Sequence, residues 1–312
     1  MTKLVSIIIP VFNRFEYADR AVHSVLHQTY TNWELFVVDD CSDQKYELPK
    51  ACESIPQKIQ LLRNEKNSGP GLSRQRGLDL SDGTFVCFLD SDDFYDNLFL
   101  ERMVQFIFER DNISGVYCTS FDLVTSEIRK SSNYSYNNIL PSLFDYNRPW
   151  ATCSWMWRRK YLGKWSELRT NQDSLFEIEV AFNNNNIAHL DEVLCCIDKG
   201  TTTNTIDLVG NLKNELNRNE VAIFALTNLV KIQGDSDIML KSVLSRLLYT
   251  SSRLLKHGKL IKVWSNLNIC MKHVMGHLPL KIVLSLAILV SLVNKHIGFK
   301  IVELYRLKYC KI

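Results

Sequence analysis

The chain has 312 residues, 46% of them hydrophobic and 23% charged, which supports a sizeable packed core and excludes a disordered or low-complexity chain. Its nine cysteines include no CxxC pair and no Cys/His set at zinc spacing, which argues against disulfide and zinc frameworks and suits reduced thiols in a cytoplasm. The net charge of +3 conceals an asymmetry: residues 238–312 hold 13 Lys or Arg against one acid, Glu303, so that stretch carries +12 and the remainder −9.

The opening run VSIIIP at 5–10 is short, β-branched and stopped by Pro10, so it reads as a buried strand rather than a signal peptide. A helix is predicted over 15–28, with Tyr17, Ala21, Val22 and Val25 on one face. Strands follow at 35–38, ending in Asp39-Asp40, and at 59–62. Residues 71–80 read as a helix, 81–83 as a turn, 85–89 as a strand ending in acids, and 97–109 as a helix. Apolar strands alternating with helices imply an α/β fold with a mostly parallel sheet, whose ligands bind outside the carboxyl ends of the strands. The acids at 39–40 and 90–93 are therefore expected to share one crevice.

Residues 112–205 are mixed. They contain Trp150, Trp155, Trp157 and Trp165, the acid-tipped segment Asn171-Gln172-Asp173, and a helical run over 175–182 that Asn183–Asn186 breaks. Beyond Asp207 the pattern is wholly helical, over 208–230, 238–256, 260–274 and 280–294. Two domains are expected, 1–207 and 208–312.

Asp90, Asp92 and Asp93 crowd the end of one strand and repel one another, a situation that a cation relieves. Hard oxygen donors point to Mg²⁺ or Mn²⁺. The bland alternative is a solvated turn capping the next helix. Asp39-Asp40 alone would more simply be a turn former.

The combination is more specific than its parts. Val5-Ser6-Ile7-Ile8-Ile9-Pro10-Val11-Phe12-Asn13 is followed by Val37-Val38-Asp39-Asp40-Cys41-Ser42, then by Gly71-Leu72-Ser73-Arg74-Gln75-Arg76-Gly77, then by Asp82-Gly83-Thr84 running into Asp90-Ser91-Asp92-Asp93. In this order and spacing the segments closely resemble the family 2 glycosyltransferases, strongly over 4–125 and more loosely over 150–200. The resemblance implies a GT-A fold, a UDP-sugar donor, a divalent metal and inversion at the anomeric carbon. It implies that Pro10, Phe12 and Asn13 lie against the nucleotide, and that Asp39 or Asp40 contacts the uracil. Arg74 matches the arginine of an Ala-Arg-Asn-like motif, in which this chain has Ser73 and Gln75 as neighbours. Asp90 and Asp92 match the DxD motif, the last acid taking the metal and the first reaching ribose or metal. Asp93 is an additional acid without an assigned role.

Expelling a diphosphate builds negative charge that a divalent ion stabilises, and an inverting transfer also needs a base on the opposite face. Asp173 is the candidate base. Family members carry a Glu-Asp pair there, and this chain has Gln172 in place of the Glu. Read only locally, Asp173 would be the N-cap of a helix starting at Ser174. Trp155 and Trp157 read as core and Trp150 as core or sugar platform, while no histidine is assigned a catalytic role.

Residues 282–294 are free of charge, and as a helix would span about 20 Å, too short for a hydrocarbon core of about 30 Å. With flanking lysines, this stretch is expected to lie in the headgroup plane of an anionic membrane or, alternatively, inside a helical bundle. No nucleic-acid module is visible. The whole pattern reads as a peripheral enzyme on the cytoplasmic face of the bacterial cell membrane. It would move glucose or galactose from a UDP-sugar to a lipid-diphosphate-linked saccharide acceptor, forming a β-linkage in O-antigen or capsule-type synthesis. The rival readings are a nucleotidyltransferase, which would want a Gly-rich phosphate loop after the first strand, and a non-catalytic sugar-nucleotide-binding scaffold.

Overall fold

A computed structural model describes residues 3–55, 58–129, 137–144, 150–198, 212–229 and 236–273. The chain divides into two compact units: Met1–Ile139 with Asn147–Asn204, and Leu140–Tyr146 with Thr205–Ile312.

The first unit is built on a mixed sheet in the order β3-β2-β1-β4-β8-β6-β9-β5, with β7 paired to β6. Its elements in chain order are β1 (Val5–Val11), α1 (Phe15–Leu26), β2 (Trp33–Asp39), β3 (Ile59–Arg63), α2 (Pro70–Asp79), β4 (Phe85–Phe88), β5 (Phe94–Tyr95) and α3 (Phe99–Phe108). After them come β6 (Gly115–Asp122), β7 (Glu127–Arg129), the short α4 (Ile139–Ser142), whose last three residues belong to the second unit, β8 (Trp155–Arg158), α5 (Gln172–Asn183) and β9 (Ile187–Ile197). The expected strands β1 to β4 are all present and pair in parallel. Every residue of β1 is buried, because helices cover both faces of a parallel sheet and leave no solvent side.

The second half of the sheet is mixed: β8 runs antiparallel to both β4 and β6, while β6 and β9 pair in parallel. Helix α1 buries Ala18, Ala21, Val22 and Val25. Ala18 replaces Tyr17 on the predicted stripe, and Tyr17 instead lies at its edge against the Arg20 guanidinium. Trp150, Trp155 and Trp157 are fully buried core residues that pack on one another and, through Tyr117, on His189, which settles the open reading of Trp150.

The second unit contains α6 (Leu212–Asn228), α7 (Ser236–Lys256) and α8 (Leu260–His273). They match three of the four expected helices, while the stretch 282–294 lies outside the described residues. Gly258, with φ of +69°, forms the turn between α7 and α8, a backbone region that glycine enters without penalty. Among the described residues no helix is long and apolar enough to cross a membrane.

Candidate functional site

The site is built at the carboxyl ends of β1, β2 and β4. Strand β1 pairs with β4 only as far as Ile8–Phe88 but with β2 as far as Val11–Asp39. Pro10, which has no N–H to give to a ladder, falls in the stretch beyond β4. It is therefore a buried strand residue beneath the loop, and Phe12 and Asn13 form the loop itself. Phe12 is 44% exposed. Asn13 adopts a left-handed conformation, with φ of 54°, that asparagine tolerates. Its amide exchanges two hydrogen bonds with Asp43, donating to the carboxylate at 3.1 Å and accepting the Asp43 N–H at 2.8 Å.

The two acids after β2 are buried and fully engaged. Asp39 accepts from the N–H groups of Ser42 and Tyr46 and from the Arg63 guanidinium. Burial opposes its charge, but the bonds from Ser42, Tyr46 and Arg63 outweigh it and hold the carboxyl below its usual range. Asp40 accepts from Asn64 Nδ2 at 2.7 Å and from the N–H groups of Ser68 and Gly69 at 2.8 and 2.7 Å. It thereby fixes the loop that leads into α2.

Helix α2 delivers Arg74 to the end of β4. Its guanidinium is buried, pairs with Asp90 and lies 4.6 Å over the Trp165 ring. Two of its nitrogens, Nε and Nη1, are buried without a partner among the described residues. Unpaired buried guanidinium donors are costly, and an anionic ligand would satisfy them.

Past β4 the chain makes a tight turn, closed by the Asp93 N–H on the Asp90 carbonyl at 3.0 Å. Asp92 receives the Arg14 guanidinium at 2.6 Å, and Arg20 donates to its backbone carbonyl at 2.6 Å. Burial raises the Asp92 carboxyl, and neighbouring Asp90 raises it further, against the pull of Arg14. Asp93, left without a role by the sequence, is buried and accepts the Asp198 N–H at 3.1 Å. Burial, with Asp90 and Asp92 beside it, pushes Asp93 well above the usual carboxylate range. Arg20 closes the circuit through an ion pair with Asp198 at 2.8 Å. Arg14, Arg20 and Asp198 escape sequence reading because ordinary charged residues on a helix start and a strand end carry no local signal.

A strap over residues 163–173 lies on the start of α2. The Trp165 N–H donates to Gln75 at 2.9 Å, and Arg169 donates to the Asn67 carbonyl at 2.8 Å. A Cβ on Gly71 would sit 2.4 Å from the Ser166 carbonyl oxygen and 3.2 Å from Gln172 Cγ, so only glycine permits this approach. The strap ends at α5, where the structure corrects the capping expectation. The helix starts at Gln172, its N-cap is Asn171 in a left-handed conformation, and Asp173 lies inside the first turn. A carboxylate there is favoured by the helix dipole, and Asp173 is partly exposed at the head of the helix.

A parallel half-sheet with acids and a buried arginine at its carboxyl ends, extended by a mixed half-sheet, is the GT-A glycosyltransferase fold. An S. aureus TarS fragment solved in complex with UDP-GlcNAc superposes with a TM-score of 0.70 at 17% identity, over 97% of this chain and 91% of that one. Residues 6–169 match the profile described as "Glycosyl transferase family 2", and the chain belongs to that family. Among curated relatives, the putative teichuronic acid biosynthesis glycosyltransferase TuaG of Bacillus subtilis is 40% identical over 108 residues, 34% of this chain and 43% of that protein. The UDP-Glc:alpha-D-GlcNAc-diphosphoundecaprenol beta-1,3-glucosyltransferase WfgD of Escherichia coli is 34% identical over 150 residues, 48% of this chain and 56% of WfgD. This chain thus matches about half the length of these two relatives.

Proposed function

We propose that this glycosyltransferase moves a hexose, glucose or galactose, from a UDP-sugar to a polyprenyl-diphosphate-linked saccharide, with inversion to a β-linkage, in O-antigen or capsule-type polysaccharide synthesis. The observation that carries the reading is Arg74. It is buried and paired to Asp90, and it keeps two unpartnered donors beside the acids at the end of β4, where a diphosphate would lie. The activity for which WfgD is named supports the donor and acceptor classes, and the nucleotide sugar bound by TarS supports the donor.

In this reading Phe12 and Asn13 line the nucleotide, with Pro10 beneath them. Asp39 and Asp40 shape the uracil end, and Arg74 and Asp90 hold the diphosphate and ribose. Asp92, with Asp90, would hold Mn²⁺ or Mg²⁺. The residues fit such an ion: Asp92 is destabilised by burial and by Asp90, and a divalent cation removes that penalty. Among the described residues no group of three His, Cys, Asp or Glu side chains is gathered for a metal. Two carboxylates suit an ion that takes its remaining ligands from phosphate and water. Bound there, the ion would neutralise charge on the leaving diphosphate. Asp173 accepts the proton of the acceptor hydroxyl, and Gln172, packed against Gly71, fixes the first turn that carries it. The basic C-terminal region holds the enzyme peripherally on the anionic inner face of the cell membrane, where a lipid-linked acceptor resides, without a nucleic-acid partner.

A panel of UDP-sugars offered with a synthetic lipid-diphosphate saccharide, with products weighed by mass spectrometry, tests the reading. One hexose added per acceptor, lost in EDTA and restored by Mn²⁺ or Mg²⁺, is the expected result. Full transfer in excess EDTA ends the metal assignment, and no transfer from any UDP-sugar ends the donor assignment.

A further inference from the structure

Among the described residues of the helical unit, the large exposed apolar side chains are Ile261 and Trp264, at one corner. Ile261 is 88% exposed and Trp264 is 52% exposed, one turn apart at the start of α8. The other five tryptophans of the chain, Trp33, Trp150, Trp155, Trp157 and Trp165, are each 5% exposed or less. An open tryptophan beside an open isoleucine is a combination that water disfavours. Along the chain the charge here is of one sign: Lys256, Lys259 and Lys262 flank the corner, and residues 238–273 contain seven Lys or Arg and no acid. Gly258 turns the chain there, and a Cβ placed on it would meet nothing within 4 Å.

We infer that the α7–α8 corner is a membrane-inserting edge, with Ile261 and Trp264 entering the interfacial layer of an anionic bilayer while Lys256, Lys259 and Lys262 meet lipid phosphates. The inference rests on the peripheral membrane reading above and names the residues that would carry it. Tryptophan is suited to that layer because its ring is apolar and its N–H polar. Lysine stems lie along an apolar surface and keep their ammonium groups among the headgroups. A protein partner for the same corner would call for acidic complementarity of defined shape, whereas a run without a single acid is what a diffuse anionic surface recognises. The two contributions are separable: the lysine attraction is screened by salt and the insertion is not.

The distribution of tryptophans supplies the test. Full-length protein is mixed with phosphatidylcholine vesicles, with and without phosphatidylglycerol, carrying acyl chains brominated to quench nearby indoles. With anionic vesicles the emission should shift to the blue and be quenched, and Trp264→Phe should abolish both changes. Trp264→Ser and Ile261→Ser should each weaken co-sedimentation by about tenfold at every salt concentration, as expected for withdrawing one large apolar side chain from a partly apolar layer. Replacing the three lysines with glutamine should weaken it at low salt only. Both serine positions are open to solvent, so folding should be unchanged by circular dichroism. Binding to anionic vesicles without quenching, and without loss in the serine variants, overturns the inference and leaves peripheral binding standing. Absence of binding overturns both. Self-association in the absence of lipid that Trp264→Ser abolishes also overturns it, by assigning the corner to a second copy of the chain.

Discussion

The two units bury polar groups in opposite places. In the sheet unit, β1, β2 and β4 are almost wholly apolar inside, and the buried acids Asp39, Asp40, Asp93 and Asp122 lie at or just beyond strand ends, where Arg74 also reaches Asp90; Glu177 of α5, bonded by the Trp150 indole, is the exception. In the helical unit, buried polar residues sit in mid-helix. Asn219 of α6 and Asn266 of α8 exchange amide hydrogen bonds at 3.2 and 2.6 Å, and Thr250 and Ser251 of α7 join them at 3.1 and 2.8 Å. Glu215, wholly buried, is held by Arg218 and Arg253. In the first unit Asp39 and Asp40 hold the loops around the strand ends, and the ligand proposed above would account for the two unpartnered donors of Arg74. In the second, polar burial is explained by register: an amide that must meet an amide fixes how three helices align, which interchangeable apolar contacts do less well.

The contrast can be broken by substitution. The largest effect is expected at Asp92. Asp92→Ala should lower transfer by about 10²–10³-fold or more, the scale on which loss of a preorganised stabiliser of leaving-group charge acts. Thermal scanning should show an unchanged or raised melting temperature, because a carboxylate crowded by Asp90 is removed. Asp173→Asn should cut turnover by about 10²–10⁴-fold with UDP affinity intact by calorimetry, and turnover within a few-fold of wild type would leave Asp173 as a helix-start residue alone.

In the helical unit the effect should move from rate to stability. Asn266→Ala leaves Asn219 short of a partner and should cost about 1–3 kcal/mol. Amide exchange read by mass spectrometry should accelerate in α6 to α8 and stay unchanged in β1 to β4. The smallest effect concerns His189, whose imidazole is held below its usual range by burial between Tyr117 and Thr119, against a weaker opposing pull from Asp191. A depressed histidine contributes stability that is intact above its unfolded value, about 6.5, and declines as pH falls towards the folded value. His189→Gln should flatten the urea midpoint across that window and leave its pH dependence above pH 7 unaltered.

These contrasts also explain what the amino-acid order reveals. Strands β1 to β4 are legible because each holds a run of apolar residues; β2 and β4 lead into acids, whereas β1 continues through Pro10, which the sequence reads as its stop, to Val11. Strand β8 has only four residues, and β9 carries Asp191 and Glu192 where its pairing with β6 shifts register, so neither shows a clean alternation. Of the candidate site, Arg74, Asp90, Asp92 and Asp173 stand out by motif. The ion pairs Arg14–Asp92 and Arg20–Asp198 join residues far apart in the chain and require the fold to be seen. The asparagines of the helical unit look like surface residues in sequence, because only packing turns them inward.

The contact of Gly71 with Ser166 has a consequence for anyone grafting segments between family members. The strap over 163–173 and the helix start over 67–75 are cut to one another: Arg169 is bonded to Asn67, Trp165 to Gln75, and Ser166 lies where any side chain at 71 would be. A chimaera that imports a foreign strap while keeping its own helix start inherits mismatched halves. The same graft carried out with both stretches together preserves the seam. The two stretches are therefore exchangeable as one cassette and not as two.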